Sequence, residues 1–217
     1  MKKTLFISAA VALLLAFVAA MLLFKSEQAE QAAQVVDQNP GALVRDHSPT
    51  LGHPDAKVQI VEFIDPACGT CRAFYPAVKQ MMAEQPGRIR LVLRYAPFHP
   101  NADYVVALIE AAGKQDKYWE TLEALLAVQD AWVVNHAVQP EQVWLQVQGL
   151  GLDLERLKND MKAPEIARLI AQDLEDARVL NVTKTPEFFV NGKPLPSFGF
   201  EPLLELVDEA LISAYGR

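Results

Sequence analysis

Cys68 and Cys71 are the only two cysteines in 217 residues, and both sit in "EFIDPACGTCRAFYP" with two residues between them. Two sulfurs at this spacing can close a small disulfide ring, supply half of a metal site, or exchange electrons with another thiol pair. A bridge around so short a ring restricts the unfolded chain far less than one closing a long loop, so stability is a weak reason to keep it. A structural zinc takes four ligands, and no second Cys-x-x-Cys follows. His47, His53, His99 and His136 are present, but no two stand at a usual zinc-ligand spacing. Redox exchange is the stronger reading of the pair.

The elements around the cysteines decide how such sulfurs behave. "KVQIVEFI" (57–64) is a β-branched, apolar run that reads as a buried strand. After the cysteines, Phe74, Val78, Met81 and Met82 recur at helical spacing until Pro86-Gly87 end the segment. "RIRLVLRYA" (88–96) alternates as a second strand, which makes a right-handed βαβ unit. The thiols therefore fall at a strand's end and a helix's start. A thiolate there is stabilised by free backbone N–H groups and the helix dipole, so its pKa drops. Cys68 is expected to be exposed and to act as the exchange sulfur, with Cys71 a turn deeper as its internal partner.

Residues 101–183 read as helices nearly throughout, near 102–114, 116–128, 140–149, 153–161 and 164–180. Pro140 and Pro164 sit at first turns, where proline is tolerated. "TPEFFVNGKPLP" returns to strand character around an Asn191-Gly192 hairpin turn, and an amphipathic helix closes the chain. Thr185-Pro186 stands at the mouth of that strand, where position alone does not fix the isomer of the peptide bond.

The other end of the chain carries a different signal. Lys2 and Lys3 precede "LFISAAVALLLAFVAAMLLF" (5–24), in which Ser8 is the only polar side chain. Twenty such residues are enough to span a bilayer, longer than a signal-peptide core, and no convincing cleavage site follows. Residues 1–25 are expected to be an uncleaved membrane anchor in preference to a cleaved signal, with the rest of the chain exported. Residues 26–56, polar and then broken by prolines and glycines, read as a tether. Beyond residue 25 there are 17 basic and 27 acidic side chains, which excludes a general nucleic-acid binder.

The strand ending "VEFIDPACGTC", the later "TPEFFVNG" and the helical block between them resemble the DsbA-like thiol–disulfide oxidoreductases of the thioredoxin superfamily, over residues 57–215. That resemblance implies an α/β thioredoxin-like fold built from 57–100 and 184–217, with 101–183 as an inserted helical domain. It implies that Cys68 is the nucleophile and Cys71 the buried cysteine. Thr185 and Pro186 would form a cis-proline loop that holds substrate backbone. Glu62, six residues before Cys68, would be a buried acid passing a proton to or from Cys71. His99 resembles a recurrent family histidine, and packing or capping is its expected role. No cofactor or resident metal is implied. The implied partners are exported proteins with cysteines and a membrane redox partner, either a quinone-linked reoxidant or a reductant, on the periplasmic side of a bacterial inner membrane.

Two departures bear on the direction of exchange. The strongest oxidants of the family carry Pro-His between the cysteines, whereas Gly69-Thr70 brings no charge, which implies a milder oxidant. Threonine before the proline also resembles the disulfide isomerases, although 26–56 is too short for a dimerisation domain of their kind. Disulfide formation is the favoured direction, with isomerase or reductase action as the alternative. A membrane-anchored, non-enzymatic module binding Cu(I) or zinc through the same two cysteines is the second class of reading. The anchor has a direct check. N-terminal sequencing of exported protein should show residues 1–25 retained, and a start after Phe24 would show a cleaved signal.

Overall fold

In the computed structural model the backbone is described for residues 2–216, and side chains are described without interruption from residue 30, with 13–21, 23, 24 and 27 before it. The chain begins with helix α1 (Lys2–Gln38), a short α2 (Pro40–Leu43) and an edge strand β1 (Thr50–Gly52). Much of the expected anchor at 5–24 lies outside the described side chains. Among the described residues no helix is long and apolar enough to cross a membrane.

The βαβ unit then follows as β2 (Val58–Ile64), α3 (Gly69–Glu84) and β3 (Ile89–Tyr95). Five helices come next: α4 (Ala102–Gly113), α5 (Tyr118–Ala127), α6 (Pro140–Val147), α7 (Leu154–Asp160) and α8 (Pro164–Val179). Between α5 and α6 lies the stretch 129–139, to which the sequence reading assigns no helix. It makes a 3₁₀ turn at Gln129–Ala131 and a small hairpin, β4 (Val133–Val134) with β5 (Ala137–Val138). Asn135 and His136, both at positive φ, make its turn, a conformation that interrupts a helix. β6 (Glu187–Val190), β7 (Lys193–Pro194) and α9 (Phe200–Tyr215) finish the fold.

The main sheet has the order β1-β3-β2-β6-β7, with β2 parallel to β3 and every other pairing antiparallel. β2 lies in the middle and both of its faces are covered, which is why it is apolar almost throughout. Alternation sorts its side chains. Ile60 and Ile64 join the core beneath α3 and α9, while Val61 and Phe63 face Val36, Leu43 and Leu180 on the other side. Glu62 shares the face of Ile60 and Ile64, so a carboxyl is sealed into the core under α3.

Residues 26–56 do more than the tether reading anticipated. Val36, Ala42 and Leu43 are buried, and β1 pairs with β3. A buried ion network fastens the same segment. Arg94, fully buried on β3, donates to Asp173 Oδ1 at 2.7 Å and Asp176 Oδ2 at 2.6 Å, both on α8. Arg45 grips Asp176 with two nitrogens, at 2.8 and 2.6 Å, and His47 Nε2 lies 2.7 Å from Asp173 Oδ1. Burial would raise the Asp176 carboxyl, but the Arg45 and Arg94 bonds outweigh it and hold its pKa below the usual range. That stabilisation is present at neutral pH and is lost as pH falls through the lowered value. Removing the central cation should strand both carboxylates. Arg94→Leu is expected to cost about 3–5 kcal/mol in urea unfolding at neutral pH; a loss under about 1 kcal/mol would show that the network carries little stability.

Candidate active site

β2 ends at Ile64, and Asp65-Pro66-Ala67 lead to Cys68, the residue that caps α3. Asp65 is completely buried and organises this loop. Its Oδ1 accepts from the Ala67 N–H at 2.8 Å, and its Oδ2 accepts from the N–H groups of Phe98 and His99, each at 2.8 Å. His99 Nδ1 lies 2.7 Å from the same Oδ2, and the His99 carbonyl accepts from Ala102 N–H at the start of α4. One carboxylate thus ties the loop after β2 to the loop after β3. His99, expected to pack or cap, has its ring against Asp65, while the residue that caps α4 is Asn101.

Cys68 has extended backbone angles, φ −80° and ψ 119°, while Gly69 onward is helical, so the unpaired N–H groups of the first turn open toward its sulfur. Both cysteines are free thiols. The Cys68 thiol donates to the Thr185 carbonyl at 3.3 Å, and the Thr185–Pro186 peptide bond is cis. Cys68 was expected to be exposed, but it keeps only 7% of its surface against none for Cys71, with the Thr185 carbonyl against its sulfur. Cys68, Cys71, Thr185, Pro186 and Glu62 therefore belong to one small region, with Glu62 fully buried on the core side.

The electrostatics of the two sulfurs are opposed. The hydrogen bond from the Cys71 thiol is the largest cause lowering Cys68; burial works against it, and the Thr185 side chain and the N–H groups of Cys71 and Thr70 add to it, bringing Cys68 to about 5. Burial, first of all, pushes the Cys71 thiol up, helped by its bond to Cys68 and by the nearby Glu62 and Cys68 charges. Burial also raises Glu62 to about 8, with the Cys68 thiolate contributing. Neither Glu62 oxygen has a hydrogen-bond partner among the described residues. A carboxyl buried in an apolar core without protein donors favours its protonated form, and one held this way can give its proton to a neighbouring sulfur.

Asp65 and Gln129 are site residues that the sequence reading missed. An aspartate before proline is a turn signal, so Asp65 had a trace in the sequence; Gln129, 58 positions after Cys71, had none. Among the described residues no group of three or more His, Cys, Asp or Glu side chains is placed to hold a metal ion.

A thioredoxin-type sheet with a dithiol at a helix N-terminus, a cis-proline loop against it and a helical insertion is the architecture of the DsbA-like thiol–disulfide oxidoreductase class. The family model described as thioredoxin matches residues 45–209, and the chain belongs to that family. A thioredoxin-like oxidoreductase from Silicibacter pomeroyi is 32% identical, with a TM-score of 0.69 over 79% of this chain and 97% of that one. The fold is shared with the thiol-disulfide exchange protein alpha-DsbA2 of Wolbachia pipientis, at 21% identity and a TM-score of 0.71 over 84% of this chain and 97% of that one. It is also shared with BdbD of Bacillus subtilis, at 23% identity and a TM-score of 0.66 over 76% and 92%. Among curated proteins, the Na(+)/H(+) antiporter NhaA 3 of Salinispora tropica is 34% identical over 152 residues, 69% of this chain; the chain spans only 22% of that antiporter's length.

Two outcomes follow from the opposed sulfurs. Alkylation of the reduced protein against pH should show Cys68 titrating near 5 while Cys71 stays unreactive until unfolding; a Cys68 midpoint near its ordinary 9.0 would contradict the geometry. Glu62 has the opposite linkage. Its folded pKa is raised, so the buried acid costs stability increasingly as pH climbs from 4.5 to about 8. Glu62→Leu should therefore stabilise the reduced protein more above that range than below it, and equal effects on both sides would contradict a buried, neutral carboxyl.

Proposed function

We propose that this chain is an exported thiol–disulfide oxidoreductase that exchanges a Cys68–Cys71 disulfide with the cysteines of proteins outside the cytoplasm, acting as a disulfide-forming oxidase. The observation that carries the reading is the placement of the two sulfurs: Cys68 caps α3 beside the cis Thr185–Pro186 bond, and Cys71 is fully buried, as is Glu62. Cys68 favours the thiolate, whereas Cys71 and Glu62 keep their protons at neutral pH.

The oxidised enzyme holds the bond between the two sulfurs. A substrate thiolate attacks Cys68 Sγ, forming a mixed disulfide and breaking the bond to Cys71. Cys71 leaves as a thiolate in a dry site, which is unfavourable unless a proton arrives, and the Glu62 carboxyl is the internal source. A second thiolate of the substrate then attacks the substrate sulfur of the mixed disulfide. The product leaves with its disulfide, and Cys68 departs as the thiolate its surroundings favour. Two electrons have passed to the enzyme, and an external quinone-linked oxidant at the membrane must remove them. Thr185 and Pro186 sit beside the exchanging sulfur, where an extended substrate segment can lie along the Thr185 backbone.

The apolar run at 5–24 supports delivery of this site to the outer side of the membrane as an anchored enzyme. The same residues run in reverse give a reductase or isomerase, so the resting redox state decides direction. Thiol trapping in cells should find Cys68 and Cys71 mostly as a disulfide, and the purified oxidised protein should introduce disulfides into a reduced, unfolded substrate. Cys68→Ala must abolish that transfer. A pair found mostly as dithiol would turn the assignment to reduction or isomerisation.

A further inference from the structure

The insertion touches the active-site loop through a side chain that the mechanism above does not use. Gln129 lies in the 3₁₀ turn between α5 and β4 and keeps only 2% of its surface. Its Nε2 donates to the Pro66 carbonyl at 2.7 Å and to the Cys68 carbonyl at 3.1 Å, so both amide hydrogens are committed to the loop. The turn is itself held firmly. Trp132, wholly buried, donates its indole N–H to the Leu125 carbonyl at 2.9 Å, and its backbone N–H bonds to the Gln129 carbonyl at 3.1 Å.

The position of those two carbonyls matters. The Cys68 carbonyl also accepts the first helical bond, from Arg72 N–H at 3.1 Å, and it belongs to the peptide that joins the capping residue to α3. Fixing that oxygen fixes the plane of the Cys68–Gly69 peptide and the direction of the N–H groups that follow it. Those groups, on Thr70 and Cys71, belong to the first turn that Cys68 caps and contribute to lowering its pKa. Gln129 never approaches the sulfur through a hydrogen bond of its own, yet it grips the peptides on either side of the capping turn.

We infer that Gln129 is a positioning residue through which the helical insertion sets the reactivity of Cys68. The insertion then has a part in the chemistry as well as in packing: it locks the first turn of α3 in the orientation that favours the thiolate. The inference rests on the functional reading of Cys68 as the exchange sulfur. Asp130, the neighbouring residue, provides a contrast. It pairs with Arg72 at 2.7 Å but is 85% exposed and touches neither loop carbonyl, so it is expected to matter little.

The test compares wild type, Gln129→Met and Asp130→Ala in their full-length reduced forms. Methionine keeps the length and shape of glutamine but has no donor. Gln129→Met should raise the alkylation midpoint of Cys68 by about one pH unit, and lower the equilibrium constant for oxidising glutathione in proportion. Asp130→Ala should leave both unchanged. Gln129→Asn, which keeps the donors but falls one methylene short, should also raise the midpoint, and it stands in if the methionine variant does not fold. A variant at Gln129 that melts earlier with an unchanged Cys68 midpoint and glutathione equilibrium would overturn the inference and leave the residue a packing role. A wild-type midpoint near 9.0 is a different failure: it would remove the functional reading of Cys68 itself.

Discussion

Everything at this site depends on an unequal sharing of protons between two sulfurs one helical turn apart. Cys68 caps α3 and meets N–H groups, the Cys71 thiol and Thr185; Cys71 meets a dry core and a carboxyl. The Cys71 thiol is the largest influence lowering Cys68 and burial the largest raising Cys71, with the backbone N–H groups of the first turn adding to the difference. The same helix N-terminus that leaves donors unpaired for residue 68 buries residue 71 beneath its first turn. Exchange chemistry needs this inequality, because one sulfur has to leave easily and the other has to be protonated as it leaves.

The remaining parts of the fold hold that turn in place. β2 runs through the middle of the sheet and delivers the chain to Asp65, whose carboxylate is saturated by loop N–H groups and by His99. β6 brings Thr185-Pro186 alongside from the opposite direction, since it is antiparallel to β2 in the register Glu62↔Phe188. That register sets Glu62 under the cysteines and the cis-proline loop above them. A buried carboxyl without partners is costly to folding, which is why its presence reads as chemistry rather than packing. On the far face, Arg94 with Asp173 and Asp176 locks the insertion and the N-terminal segment against β3, away from the thiols.

The strands and helices were readable because their apolar residues recur at the period of the element. β2 and β3 showed as apolar runs, and α6 and α8 begin at Pro140 and Pro164 as first-turn prolines predict. Cys68 and Cys71 were readable from spacing alone, and Asn191-Gly192 from turn chemistry, both residues having positive φ. What escaped depends on contacts between distant residues. Nothing near Arg45 or His47 shows that their partners, Asp176 and Asp173, lie more than a hundred positions away, so 26–56 looked like a loose tether. The hairpin at 133–138 is two residues a side, too short for an alternating pattern, and only Asn135 hinted at a turn. The expected exposure of Cys68 missed its contact with the Thr185 carbonyl, 117 positions away, which no local pattern encodes.

The account stands on Cys68 being the sulfur that meets substrate. Oxidised protein can be mixed with a small peptide thiol, quenched with acid during the reaction, and the mixed disulfide located by peptide mass spectrometry. The peptide is predicted to be joined to Cys68, with Cys71 recovered as a free thiol. Adducts on Cys71, or an even division between the two, would contradict the account.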